Sequence, residues 1–265
     1  MIEFIKMILD FLLRMFAKKE GAPLQLPHIP EEPVDEPPVV EEPPEEPEPP
    51  IEEPAEPVTT EPEVDLTEPI IGIDISKYQQ DIVWDEVTVD FIYIKASEGQ
   101  DFIDLSAEAH GLAAQAAGKK FGYYHFATPK EGDAKLEARD FVKALNSLPT
   151  GTLPPVLDLE QNKTNLTKAK MEQWSHDFLE EVLLLTGVKC ALIYGSPGFL
   201  DSNLPADHTL GKYGLWLAHY TTRPEPRLPK GWDSYLIWQH TDKGVAAGFP
   251  KPVDMNRSTR SLFAQ

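Results

Sequence analysis

Through residues 70–265, short apolar runs alternate with longer stretches of helical periodicity. Runs at 70–76, 91–96, 121–127, 154–160, 189–195, 214–220, 234–240 and 252–256 have the length and β-branched or aromatic content of strands. Helix-like stretches at 104–118, 131–146 and 167–186 fall between them, the last opened by Asn165-Leu166-Thr167 and closed by Gly187. Strands alternating with helices are the mark of β/α units. Later connections are shorter and proline-rich, as at 222–230, so the later strands lack full crossover helices. The expectation is an α/β fold, an irregular barrel of about eight strands with fewer than eight helices. Its 196 residues suffice for one substantial core, though fewer than a typical eightfold barrel uses.

The first 69 residues read differently. In residues 1–16, Glu3, Lys6, Asp10 and Arg14 recur at helical spacing and leave about two-thirds of the helix circumference apolar. Asp10 and Arg14 interrupt the apolar centre that a cleaved signal peptide needs. At about 1.5 Å per residue the segment is shorter than a ~30 Å hydrocarbon core. Residues 1–20 are therefore expected to form an amphipathic helix that meets a membrane surface or self-associates, with an atypical export or anchor signal left open. Residues 21–69 hold 15 prolines and 16 acidic residues with no Lys or Arg. Such a tract cannot bury enough apolar surface to order itself and is expected to be a disordered, extended linker. It supplies −16 of the formal net charge of −20, so the acidity belongs to the linker and not to the barrel. The acidic balance disfavours nucleic acid as a partner.

Polar residues fall where chemistry would need them. Asp74, Lys95 with Glu98, His125, Asp158 with Glu160, Tyr194, Tyr220, Gln239 and Asp254 stand near the carboxyl ends of the eight predicted strands. In a parallel barrel those ends converge on one face, where barrel enzymes carry their active sites. Asp158 and Glu160 share a strand face because side chains alternate with period two. Paired carboxylates split their pKa values, which equips one of them for general-acid cleavage of a glycosidic bond. A strand running out into solvent would show the same two residues, and it is the other seven polar strand ends that favour a shared acidic cleft.

Tyr93, Tyr123, Tyr124, Tyr194, Trp216, Tyr220 and Trp238 lie in or beside the same strands, and such rings pack well on the C–H faces of sugars. At least half are expected to pack the core instead, as are Trp84, Trp174 and Trp232. Cys190 is expected to be a buried, inert thiol. No metal-ligand spacing occurs, and no cofactor is expected.

The sequence resembles the glycoside hydrolase family 25 lysozymes over essentially all of 70–265. The residues that carry the resemblance are Gly-Ile-Asp-Ile-Ser-Lys-Tyr-Gln at 72–79, Tyr-Ile-Lys-Ala-Ser-Glu-Gly at 93–99 and Gly-Tyr-Tyr-His-Phe at 122–126. Val-Leu-Asp-Leu-Glu at 156–160, Leu-Ile-Tyr-Gly at 192–195 and Leu-Trp-Leu-Ala-His-Tyr at 215–220 follow in order. Ile-Trp-Gln-His-Thr at 237–241 and Val-Asp-Met-Asn at 253–256 complete the series. Gln80, where glycine is common, and His240, where tyrosine is common, are departures that bear on loop shape and subsites.

The resemblance implies an N-acetylmuramidase that cuts β-1,4 bonds between N-acetylmuramic acid and N-acetylglucosamine in bacterial peptidoglycan, in wall lysis or remodelling. Glu160 matches the general acid. Asp158 matches the second carboxylate or the group that orients the substrate acetamide, and Asp74 and Asp254 match two flanking acids. Lys95, Glu98, Tyr124, His125, Tyr194, Trp216, Tyr220, Trp238 and Gln239 are the expected substrate-binding residues. Glu160 is expected to be protonated at rest and Asp158 ionised. Whether the reaction retains, inverts or uses the acetamide is left open by an i, i+2 pair. The expected place of action is the wall outside the cytoplasmic membrane, whether the protein is secreted, membrane-associated or phage-delivered. A silent glycan-binding module and a chitinase-like hydrolase are the alternatives.

Overall fold

A computed structural model describes residues 70–259 and 262–263 of the chain; the helix expected at 1–20 and the linker expected at 21–69 lie outside the described residues. Among the described residues are nine strands: β1 (Ile70–Ile75), β2 (Phe91–Glu98), β3 (Phe102–Ile103), β4 (Lys120–Phe126), β5 (Val156–Asp158), β6 (Leu192–Gly195), β7 (Gly214–Ala218), β8 (Ile237–Gly244) and β9 (Val253–Ser258). Eight of them close a ring in the order β1, β2, β4, β5, β6, β7, β8, β9, and β3 hangs on β2 as a short hairpin. Four α-helices among the described residues accompany them: α1 (Ala107–Ala116), α2 (Ala134–Leu145), α3 (Lys168–Thr186) and α4 (Pro197–Asn203). The irregular barrel with fewer than eight helices is the observed fold.

One strand of the ring breaks the parallel arrangement. The strands run parallel from β1 through β8, but β9 is antiparallel to both of its neighbours. Only residues 245–252 join β8 to β9. A parallel return takes a crossover of about a dozen residues or more, whereas a short link forces a hairpin. Asp254 therefore stands at the start of its strand, not at its end. The reversal nonetheless leaves it at the barrel mouth, directly opposite Asp74 in the β1–β9 ladder.

Alternation along the strands builds two cores. Phe91, Tyr93, Val156, Leu192, Trp216 and Ile237 fill the lumen. Ile92, Ile94, Leu157, Ile193 and Leu215 face outward against a layer that includes Phe141, Trp174 and Phe178 from the helices. Helix α3 is capped by the Thr167 side chain, which accepts from the Lys170 amide, and ends at Gly187 with φ 71°. Helix α4 was not anticipated, although Ser196 as N-cap and Pro197 in the first turn are a start signal. Trp84, Trp174 and Trp232 pack the core as expected. Cys190 is only partly buried, contrary to expectation, because it precedes β6 and is not part of it; what burial it has pushes the thiol pKa up.

The lumen is filled tightly enough to fix one glycine. A Cβ on Gly72 of β1 would collide with the Phe91 ring next to it on β2. Gly72→Ala is expected to lower unfolding free energy by about 1–3 kcal/mol, the usual range for overpacking, as read from denaturant midpoints.

Candidate active site

The ends of the strands surround a cleft of about 330 Å³. Four carboxylates line it, delivered by three segments. Asp74 comes from β1, Asp158 ends β5, Glu160 stands two residues past it, and Asp254 begins β9. The geometry thus brings all four expected acids together.

Asp74 is held by a chain of hydrogen bonds. Its Oδ2 accepts from Gln239 Nε2 at 2.9 Å and from Asn256 Nδ2 at 2.8 Å. Gln239 Oε1 accepts from the hydroxyls of Tyr194, at 2.9 Å, and Tyr220, at 2.7 Å. Two donors on that oxygen fix the amide so that its nitrogen faces Asp74. Asn256 is fixed likewise, by Trp216 Nε1 on its Oδ1 at 2.7 Å. Burial raises the Asp74 carboxyl to about 6, against the pull of these donors. Asp254 is hydrogen-bonded to Asp74, and burial with the facing Asp74 charge raises it to about 7. With two donors already on its Oδ2, Asp74 is suited to be the acceptor of that contact and Asp254 its donor.

These raised values carry a stability consequence. Asp254 in the folded chain keeps its proton up to about pH 7, whereas an ordinary aspartate loses it near 3.8. The folded state then binds more protons than the unfolded one through that window, so the contribution to stability declines as pH rises from about 4 to about 7. Asp254→Asn, which keeps a donor toward Asp74, is expected to raise Tm relative to wild type at pH 8 by more than at pH 5. Calorimetric melts at the two pH values check this, and an offset independent of pH would contradict it.

Asp158 is buried, and its Oδ1 has no hydrogen-bond partner. Burial, reinforced by the charge of Glu160 and opposed by Lys95, holds its carboxyl well above the ordinary range. Glu160 is exposed in area yet stands in a concavity, and the surrounding protein raises its pKa too, opposed by Lys95 and reinforced by Asp254. Both carboxyls are thus raised, Asp158 from a deeply buried position and Glu160 from a more open one.

Lys95, Tyr124, Tyr194, Trp216, Tyr220 and Gln239 also line the cleft, as expected. Trp216 forms the floor and is almost fully buried, its ring 4.8 Å from that of Tyr93 and 4.9 Å from that of Tyr194 between centroids. Glu98 does not line the cleft but meets it through Lys95, whose Nζ lies 2.7 Å from Glu98 Oε2. A bulge between Lys95 and Ser97 makes this i, i+3 pair share a strand face.

His125 and Trp238 are not brought to the cleft, and strand alternation is the reason. His125 lies between inward-facing Tyr124 and Phe126 and so points outward, fully buried, with Nδ1 2.9 Å from Ser97 Oγ and Nε2 3.0 Å from Glu137 Oε2. Its ring stacks on Phe178 of α3 with centroids 5.0 Å apart. Trp238 lies between inward-facing Ile237 and Gln239, donates Nε1 to the His219 carbonyl at 2.8 Å, and carries Arg257 over its ring. Asn256, by contrast, was missed as a site residue, although it is two positions from Asp254 on one strand and so shares its face.

A second depression, of about 410 Å³, shares Glu160, Tyr194 and Tyr220 with the cleft and extends to His219 and Arg227. The groove thus continues past Glu160. Among the described residues, no group of three or more His, Cys, Asp or Glu is placed to hold a metal ion.

Residues 73–249 match the protein family described as Glycosyl hydrolases family 25. Lysozyme M1 of Streptomyces globisporus is 30% identical over 202 residues, which cover 72% of this chain and 68% of that protein. An N,O-diacetylmuramidase of Chalaropsis is 30% identical over 192 residues, covering 67% of this chain and 90% of the relative. The crystal structure of a bacterial lysozyme from Streptomyces coelicolor superposes with a TM-score of 0.67 at 29% identity, covering 75% of this chain and 97% of that one.

Proposed function

The chain belongs to glycosyl hydrolases family 25, and from that premise we propose that it cuts the β-1,4 bond between N-acetylmuramic acid and N-acetylglucosamine with Glu160 as general acid. It is a lysozyme-type glycoside hydrolase acting on bacterial peptidoglycan. The observation that carries the catalytic reading is the convergence of Asp74, Asp158, Glu160 and Asp254 on one cleft.

In the proposed mechanism the Glu160 carboxyl gives its proton to the glycosidic oxygen as the bond from that oxygen to the anomeric carbon breaks. The acetamide oxygen of the same muramic acid then bonds to the anomeric carbon, and the Asp158 carboxylate accepts the acetamide N–H. The unpartnered, buried Oδ1 of Asp158 supports this role: it lacks the donor that the acetamide would supply. Burial raises the Asp158 carboxyl, and the acetamide N–H, hydrogen-bonded to its charged form, favours the carboxylate against that burial. Water, losing a proton to the Glu160 carboxylate, next attacks the anomeric carbon and releases the acetamide, which restores Glu160. Asp74, kept an acceptor by Gln239 and Asn256, adds negative charge beside the developing cation.

A silent glycan-binding module would not need four raised carboxylates in one cleft. A chitinase-like specificity is separated by comparing turbidity loss on purified cell walls with that on colloidal chitin. Clearing of walls and not of chitin is expected, and the reverse would overturn the substrate assignment.

The place of action is the cell wall. Among the described residues, no helix is long and apolar enough to cross a membrane. We propose that residues 21–69 act as an extended spacer between the barrel and residues 1–20, which contact a membrane surface or self-associate. The support is compositional. Fusing residues 1–69 to a reporter tests it, with membrane partitioning or oligomers expected and a soluble monomer contradicting it.

A further inference from the structure

We propose that Tyr78 and Phe102 form an aromatic platform binding a saccharide unit of the glycan strand beyond the two that flank the cut bond. The inference rests on the reading of the cleft as a peptidoglycan hydrolase site. Tyr78 is 74% exposed and Phe102 38% exposed. Single exposed aromatics are ordinary on protein surfaces, but these two are not isolated. Lys77 Nζ stands between them, 5.4 Å from the centroid of Tyr78 and 4.9 Å from that of Phe102. Among the described residues, that ammonium makes no ion pair.

The platform begins where the cleft ends. Tyr78 lines the cleft, and Lys95 Nζ within it is 5.9 Å from the Phe102 centroid. The groove that continues past Glu160 toward Arg227 lies among the loops after β6 and β7, whereas the platform is carried by those after β1 and β2. A polymeric substrate crossing the cleft from one set of loops to the other would lie over both.

The two loops are also tied into one unit. Asp104, itself 1% exposed, accepts the Lys77 amide on Oδ2 at 3.0 Å and the Ser106 amide on Oδ1 at 2.9 Å. Its own amide donates to the Ala96 carbonyl at 2.9 Å, which pins the β3 hairpin to β2. Within the first loop, Gln79 Oε1 accepts the Ser76 amide at 2.9 Å. Gln80 Nε2, from the position where glycine is common in the family, donates to the Lys77 carbonyl at 2.5 Å. Aromatic surface held in place before binding loses little freedom when a ligand arrives. Flat rings of this kind take the apolar C–H face of a pyranose, and Lys77 would face the carboxylates that peptidoglycan carries.

The test measures kcat/KM on peptidoglycan glycan chains of graded length for wild type, Tyr78→Ala, Phe102→Ala and Tyr78→Phe, using the full chain. The ratio of kcat/KM on long chains to that on the shortest cleaved chain is expected to fall about five- to tenfold in each alanine variant, through KM, and to survive in Tyr78→Phe. An unchanged ratio would overturn the platform while leaving the hydrolase reading intact. So would an equal loss at every length, which would signify a structural role. A wild-type dimer that Tyr78→Ala dissociates, with the ratio unchanged, would assign the face to self-association and overturn the inference as well. If wild type cleaves none of the chains, the hydrolase reading itself fails and the platform with it.

Discussion

Glu160→Gln is expected to lower peptidoglycan hydrolysis by about 10²–10⁴-fold while leaving the fold and substrate binding in place. The magnitude follows from the loss of a positioned proton donor. Glutamine keeps the shape of the side chain but cannot pass a proton to the leaving oxygen. The raised pKa of Glu160 means that wild-type kcat should fall as pH rises through it, since the acid must be protonated to act. That alkaline limb should vanish in the variant's residual rate. A variant retaining a tenth of the wild-type rate would remove Glu160 from the acid role. Because Glu160 is exposed in area and outside both cores, thermal melts should differ little and so separate lost chemistry from lost structure.

Asp158→Asn is expected to cost about 10²-fold or more in kcat, an effect of the size seen when one oriented electrostatic group is removed. Asparagine preserves the volume of the side chain, so the loss reports on charge and acceptor capacity. The proposed role makes a sharper demand than magnitude alone. If Asp158 acts by holding the acetamide N–H, a substrate whose muramic acid lacks the N-acetyl group should already have lost most of what Asp158 supplies. The two changes should then be strongly non-additive in a double-mutant-style cycle of enzyme and substrate. Additive losses would mean that Asp158 works on the anomeric centre by another route.

Much of this arrangement was legible in the sequence because period-two alternation is a rigid rule. It placed Asp158 on the lumen face, and applied strictly it would have excluded His125 and Trp238, each flanked by inward-facing neighbours. Those two were drawn in by their position near a strand end, which locates a residue along the barrel axis but not its side. Glu98 shows the opposite limit. It shares a face with Lys95 only because the ladder slips at Ala96, and a bulge leaves no clear trace in composition. The reversal of β9 could have been inferred from the short 245–252 connection, and with it the pairing of Asp74 with Asp254. That burial raises both Asp158 and Glu160 was beyond sequence, since it depends on how deeply each group sits in the fold.

The most direct test of the central claim is mass analysis of the products released from purified peptidoglycan by the full chain, after borohydride reduction marks every new reducing end. Reduced N-acetylmuramic acid at those ends, formed by wild type and absent with Glu160→Gln, is the predicted result. Reduced N-acetylglucosamine at the new ends, or muramic acid ends formed equally by the variant, would contradict it.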